Sequence, residues 1–465
     1  MAWWWLTYAT AFLGNPPPLH KTTSCLDSFF NESRQTVGVG VSVFEVFIPT
    51  IGCAAPSCVH FGSSNQRIDR FALQRLYMYA PGSRRGCLGN VSKGRVLAMD
   101  LAKVVLDRCK AFSRECFCDD FDIGTCVRCV DQMAGQLALH IDVKTPPRKA
   151  LRILRHYVFK QLSFTYADSE DLQNLLLNKV LSNRRGNCLS LSILILGLGY
   201  RLGLPLRGVA VRGHMFVRYD TGARSVNMDV SREGKSLREA YYVRQFGVSR
   251  SSSFYLRSLH PVHVLGIFLS NLGNACAQHG QMKDAVTLLK ESASINPDHP
   301  ESLNNLGNAL RLSGMIDEAI QAYQRAVTLD ATYSRAHYHL GIAFKGKGEF
   351  EEAIGEFRSA LEHDPSFVFA RINLATTFSA AGLHGSAITE LNNIIQEDKN
   401  CGEARIALAG VYERLGEWDD ALAEYKEALR VDPNDSLLRD KVTAIQNQMM
   451  SIDGDNRPSC PQTDL

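Results

Sequence analysis

A small residue recurs every 34 positions through the C-terminal part of this 465-residue chain, and no other feature narrows the fold as far. Gly273, Gly307 and Gly341 continue in the same register as Ala375 and Ala409. Twelve residues after each stands an alanine: Ala285, Ala319, Ala353, Ala387 and Ala421. Four further on stands a large apolar side chain: Leu289, Tyr323, Phe357, Leu391 and Tyr425. Pro297, Pro365 and Pro433 close three of the units, with Ala331 and Lys399 in the other two. The pattern reads as a pair of helices per unit. A small residue midway along the first helix lets the second approach closely, and alanine near the start of the second does the same from the other side. The large residue fills the groove, and proline stops the second helix. One such unit cannot bury its apolar face alone, so the units stack into a solenoid.

The spacing and these residues resemble the tetratricopeptide repeat family over roughly 264–433, with 434–450 continuing as an amphipathic helix that caps the last repeat. The resemblance implies a protein or peptide ligand on the concave face of the first helices. On this chain that face corresponds to Ser270, Asn271, Asn274, Asn304, Asn305, Asn308, Arg335, Tyr338 and His339. Asparagine offers a donor and an acceptor together, which suits an extended peptide backbone. The subclass that grips a terminal carboxylate is matched at Asn274 and Asn305, with Arg335 standing for a lysine, while Ser270 and His339 depart from it.

Charge separates this region from what precedes it. Residues 261–450 carry 16 basic and 26 acidic side chains, whereas the first 260 carry 34 and 19. The overall charge of +3 is therefore the sum of a basic and an acidic half, which points to two parts with different partners. The basic half has no aromatic-rich, arginine-rich run, so nucleic acid is not an expected partner.

The basic half holds one further informative stretch. Residues 146–162 and 172–181 have helical apolar spacing. Asn187-Cys188 then opens an apolar run that closes at Gly203-Leu204-Pro205, a helix of about 14 residues with Cys188 in its first turn. A thiol there feels the helix dipole and unpaired amides, both of which favour thiolate. Strands follow over 206–211, 214–219 and 225–229, the last two joined as a hairpin by a turn over 220–224. His214 and Asp229 fall near the open end of that hairpin, where a carboxylate can orient an imidazole.

Cysteine opening a helix, histidine starting a strand and aspartate ending the next resembles the transglutaminase-like superfamily over about 100–240, at Cys188, Gly213-His214-Met215-Phe216-Val217 and Asn227-Met228-Asp229. The resemblance implies papain-like chemistry: Cys188 as nucleophile, His214 as base and then acid, Asp229 as orienter, and no cofactor. The product would be a hydrolysed amide or a cross-link. The expected function is nevertheless a protein-interaction scaffold that docks its ligand on the repeat face and keeps the transglutaminase-like fold without its chemistry, since a small cysteine also packs well in a buried helix turn; an active cysteine hydrolase or cross-linking enzyme using Cys188, His214 and Asp229, with the repeats recruiting substrate, is the alternative.

Other features are weaker. Cys116, Cys118, Cys126 and Cys129 form two close pairs, as in a four-thiolate zinc site, but the gap between them is short and a helical apolar stripe runs through the second pair, so no metal is expected. Residues 2–14 and 37–58 are apolar; the first lacks a preceding cation, and Glu45 interrupts the second, so neither reads as a leader, anchor or span. Thirteen cysteines, an odd number, are expected as reduced thiols in the cytoplasm. The expected organisation is an uncertain extension over 1–98, an α+β transglutaminase-like domain over 99–260, an all-α solenoid of five tetratricopeptide repeats and a capping helix over 261–450, and a polar tail over 451–465.

Overall fold

The computed structural model describes residues 99–117, 120–168, 171–248 and 252–455. Residues 1–98, the Cys116 and Cys118 thiols and the tail past 455 lie outside what it describes. From Asp100 onward the described residues pack as one compact unit.

Helices α1 (Leu101–Phe117) and α2 (Ile123–Ala138) open it. The helix expected over 146–162 starts as α3 (Pro147–Arg155) and widens into a π-helix over His156–Gln161. The one expected over 172–181 divides into a 3-10 turn, Leu172–Asn174, and α4 (Leu177–Asn183). Short parallel strands β1 (Thr165–Tyr166) and β2 (Arg185–Gly186) tie this region to the start of α5 (Cys188–Arg201). α5 is the centre of the core, buried from Leu189 to Gly199. Two glycines let neighbours close on it: a Cβ on Gly197 would lie 2.7 Å from that of Ala102 in α1, and one on Gly199 2.6 Å from Leu206 Cδ1.

Leu206 begins an antiparallel sheet of β3 (Leu206–Val211), β4 (His214–Asp220) and β5 (Ser225–Met228), in that order. β5 is one residue shorter than expected, because Asp229 leaves the ladder to cap a 3-10 turn over Val230–Arg232. Helix α6 (Glu239–Phe246), absent from the sequence reading, follows. The chain then returns along the free edge of β3, where the N–H groups of Leu256 and Leu259 donate to Ala210 and Gly208 at 3.0 and 2.8 Å.

The solenoid begins directly against that edge. α7 (Pro261–Gln278) pairs with α8 (Met282–Ile295), α9 (Pro300–Leu312) with α10 (Ile316–Leu329), and α11 (Ser334–Lys347) with α12 (Phe350–His363). α13 (Val368–Ala380) and α14 (His384–Glu397), then α15 (Gly402–Leu415) and α16 (Trp418–Val431), complete the pairs, and α17 (Ser436–Asp455) covers the end. The large residue of each unit lies on the small residue of its own pair. A Cβ on Gly307 would meet Tyr323 Cε1 at 2.5 Å, and one on Gly341 would meet Phe357 Cε1 at 2.8 Å. A second five-fold register, unread in the sequence, ends the first helix of every pair: Gly280, Gly314, Gly348, Gly382 and Gly416 all take φ between +76° and +82°, a conformation glycine adopts without strain. No helix among the described residues is long and apolar enough to cross a membrane.

Candidate active site

The site is built from the two ends of elements that the core holds fixed. Asn187 turns the chain into α5, its Oδ1 accepting from the Ser190 N–H at 2.9 Å. Cys188 becomes the first residue of the helix, half-buried, with its N–H in the turn that lacks intrahelical acceptors. His214 opens β4 after a tight turn in which Gly213 has a φ of +69°. Its Nε2 lies 3.3 Å from Asp229 Oδ2. The two are not directly opposite. The last rung of the ladder is Val217–Met228, and Asp229 reaches the ring diagonally from just beyond it. Its other oxygen is held by the Ser231 N–H at 3.0 Å and the Ser231 hydroxyl at 2.7 Å, so the carboxylate cannot rotate away.

Electrostatics reinforce this geometry. Burial alone would push the His214 imidazole down, but hydrogen bonds to Asp229 and Cys188 and the charges of both outweigh it, and His214 titrates at about 9. Burial likewise opposes charge on Asp229, which is 1 % exposed, yet the hydrogen bond and charge of His214 hold its carboxyl below the usual range. With Nε2 turned to Asp229, Nδ1 is the ring nitrogen left for the thiol. Sequence reasoning missed α6, which covers the imidazole: the Phe246 ring stacks on His214 at 5.1 Å, and Tyr242 stacks on Phe216 at 3.8 Å. The Tyr242 hydroxyl is buried beside Asp229, and burial with that carboxylate's charge drives its titration far upward. The aromatic pair Tyr242 and Phe246, four apart, was the available signal for α6.

This arrangement sets a pH signature. A raised histidine pKa adds stability that is complete below its unfolded value of about 6.5 and is lost as pH climbs through 9. Asp229→Asn removes the partner that raises it. The melting-temperature advantage of the wild type over Asp229→Asn should therefore shrink between pH 6.5 and 9. A constant difference across that window would mean that His214 is not held as a cation by Asp229.

Cys188 and His214 face a cleft of about 710 Å³. Tyr166, Asp168 and Asn187 line it on one side. The other wall belongs to the solenoid: Ser270, Asn271 and Asn274 from α7, Asn305 from α9 and Arg335 from α11. Five of the nine residues read as peptide-binding thus meet at the thiol. Asn304, Asn308, Tyr338 and His339 do not line the cleft; all four are buried between helices. Asn308 accepts from the Tyr323 hydroxyl at 2.6 Å, Tyr338 accepts from Asn373 at 3.3 Å, and His339 stacks on Tyr323. The polar groups of Asn308 and Tyr338 are thus spent on neighbouring helices, whereas Asn304 Oδ1 and His339 Nδ1 are buried without a hydrogen-bond partner among the described residues.

Contacts from the solenoid also grip the turn in front of His214. Glu301 Oε1 accepts from the Gly213 N–H at 2.6 Å, and Arg212 pairs with Asp330 at 2.6 Å and donates to Thr332 at 2.9 Å. Nothing local in the sequence signals Glu301, which lies 88 residues from its partner. Cys126 and Cys129 sit one turn apart on α2, and among the described residues no cluster of three or more histidine, cysteine or acidic side chains is gathered to hold a metal.

Comparison with known proteins agrees with this architecture. The model of the transglutaminase-like superfamily matches residues 125–260. Tetratricopeptide repeat models match 288–321, 307–348, 334–367 and 378–445. A UPF0162 protein of Xylella fastidiosa strain Temecula1 is 28 % identical over 160 residues, which are 32 % of this chain and 57 % of that protein; a second strain of the species carries a match of the same extent. The chain thus spans little more than half the length of these curated relatives. Among solved structures, a thermophilic TPR protein of Thermus thermophilus is 24 % identical, covering 39 % of this chain and 98 % of its own with a TM-score of 0.35. MamA is 25 % identical, covering 35 % and 96 % with a TM-score of 0.32. The chain carries a transglutaminase-like domain followed by a run of tetratricopeptide repeats, the kind of solenoid that serves protein interaction.

Proposed function

We propose that this protein is a thiol acyl-transfer enzyme whose repeats present a polypeptide to Cys188. The observation that carries the reading is the shared cleft, in which an imidazole bonded to a buried carboxylate and a helix-opening thiol face asparagines and an arginine of the solenoid. We take 99–260 as the catalytic part and 261–450 as five repeats with a cap. A reactive thiol needs a reducing compartment, which favours the cytoplasm.

The chemistry follows from the positions. The proton already rests on His214, and the Cys188 sulfur attacks as a thiolate the carbonyl carbon of an amide or ester. The carbonyl oxygen becomes an oxyanion, for which the N–H of Cys188, in the first turn of α5, is a fixed donor. The intermediate collapses by expelling the amine or alcohol, which takes the proton from His214, and leaves a thioester on Cys188. Water or a second amine then attacks that thioester, giving hydrolysis or cross-linking. Asp229 stays ionised throughout and holds the ring.

A test is to incubate the full chain with a casein peptide digest and a fluorescent primary amine. Wild type should release cleaved or amine-tagged peptides and show a transient thioester on Cys188 by mass spectrometry, while Cys188→Ala should do neither. Equal product from both proteins, or no product and no adduct from the wild type, leaves the interaction scaffold as the function. In that reading the repeats still dock a peptide or protein.

A further inference from the structure

We propose that a second groove, on α3 and the sheet, binds a small anion carrying two or more linked phosphate groups. The groove encloses about 560 Å³ and shares no lining residue with the Cys188 cleft. Among the described residues, five guanidiniums line it (Arg148, Arg152, Arg155, Arg218 and Arg238) against one carboxylate, Glu239. That volume lies inside the range of roughly 300–1,000 Å³ typical of small-molecule sites.

The protein itself engages only part of this charge. Arg218 forms the floor, buried and bonded to Asn227 at 2.9 Å, the Leu256 carbonyl at 2.9 Å and Glu239 at 3.1 Å. Arg155 Nε donates to the Glu233 carbonyl at 2.8 Å. The exposed side chains of Arg148, Arg152 and Arg238 make no ion pair or hydrogen bond among the described residues.

The sequence of α3 tolerates three separate penalties to keep this cluster. Arg148 and Arg152 are four apart on one helix face, where like charges destabilise a helix. Arg148 and Lys149 lie in the first turn, which has no acidic residue, so cations face the positive end of the helix dipole. Pro146 supplies no side-chain cap to that end. One multivalent anion seated among the guanidiniums relieves the repulsion and opposes the dipole. Arginine forks match phosphate oxygens two at a time, which favours linked phosphates over a monovalent ion. Among the described residues no aromatic side chain lines the groove, so they offer no stacking platform of the kind that single-stranded nucleic acid uses.

The experiment is calorimetric titration of the full chain at low salt with inorganic pyrophosphate, and separately with orthophosphate. Pyrophosphate should bind at least about tenfold more tightly than orthophosphate, and the variant Arg148→Ala/Arg152→Ala/Arg238→Ala should lose on the order of a hundredfold or more. The single variant Arg152→Ala, with an unchanged melting temperature, should lose on the order of tenfold. Arg430→Ala, outside the groove, should bind as wild type. The assignment fails if pyrophosphate does not bind at millimolar concentration, or if the groove variants bind it as the wild type does. It also fails if a short single-stranded RNA binds more tightly than pyrophosphate and loses its binding in the same variants.

Discussion

At pH 5.5, replacing His214 by alanine should slow alkylation of Cys188 by iodoacetamide by tenfold to roughly a hundredfold. In the wild type the imidazole keeps its proton up to about 9, so throughout the acidic and neutral range a cation stands beside the sulfur. An isolated thiol with a pKa of about 8.5 is ionised in only about one molecule in a thousand at that pH, whereas thiols paired with an imidazolium are ionised far more completely. Lower intrinsic nucleophilicity takes back part of the gain, which is why the expected loss is smaller than the change in ionisation. His214→Ala also strips the buried Asp229 of its partner and leaves a bare negative charge near the thiol, which works in the same direction. Cys109 serves as the internal reference. It is fully buried, burial pushes its thiol up to about 12, and it should stay unlabelled in both proteins. Equal labelling of Cys188 in wild type and variant, or a Cys188 that native protein never exposes to the reagent, would make it a structural cysteine.

The parts of this arrangement that were legible in the sequence share one property: each is encoded by neighbours in the chain. The apolar run behind Cys188 and its Gly203-Leu204-Pro205 stop specify α5, which runs for the 14 residues expected. Alternation specifies β3 over the residues read for it. The register of Gly307 with Tyr323, and of Gly341 with Phe357, encodes a helix pair because the contact recurs at fixed spacing. What was not legible depends on partners distant in sequence. Period alone cannot show that His156–Gln161 widens into a π-helix, since a segment of six residues is too short for its period to be read. Asp229 was readable as the end of a strand but not as the cap of the following turn, although the cap is what aims its free oxygen at His214. The solenoid wall of the cleft was hidden for the same reason. Repeats announce their contacts with adjacent repeats, whereas the bond from the Gly213 N–H to Glu301 joins two segments with no common pattern. The four buried polar residues on the first helices show the converse limit, because a face assigned by register does not reveal which side chains a neighbouring helix covers.

Phe357→Ala should cost about 3–5 kcal/mol, read by urea denaturation. The ring is fully buried in α12, lies over Gly341 of α11 and packs with Ala353, Ala360, Ala370 and Leu374, so its removal leaves a cavity that these small neighbours cannot fill. Gly341→Ala should cost about 1–3 kcal/mol for the opposite reason, because the added methyl would stand 2.8 Å from the ring and drive it out of place. The double variant gives the sharper result. With the ring gone the methyl occupies part of the vacated space, so the combined loss should fall short of the sum of the two. A strictly additive pair would mean that Gly341 is small for some reason other than the approach of Phe357. Since Phe357 packs onward against Ala370 and Leu374 of the fourth repeat, the damage should stay in the third repeat and those C-terminal to it, and the cooperative transition of Phe357→Ala should split in two. The second repeat, through Glu301 and Asp330, holds the Arg212–Gly213 turn, so labelling of Cys188 at pH 5.5 should persist in Phe357→Ala under conditions where the third repeat has already opened. If labelling is lost together with the third repeat, the imidazole is held in place by the solenoid as a whole and not by those two contacts.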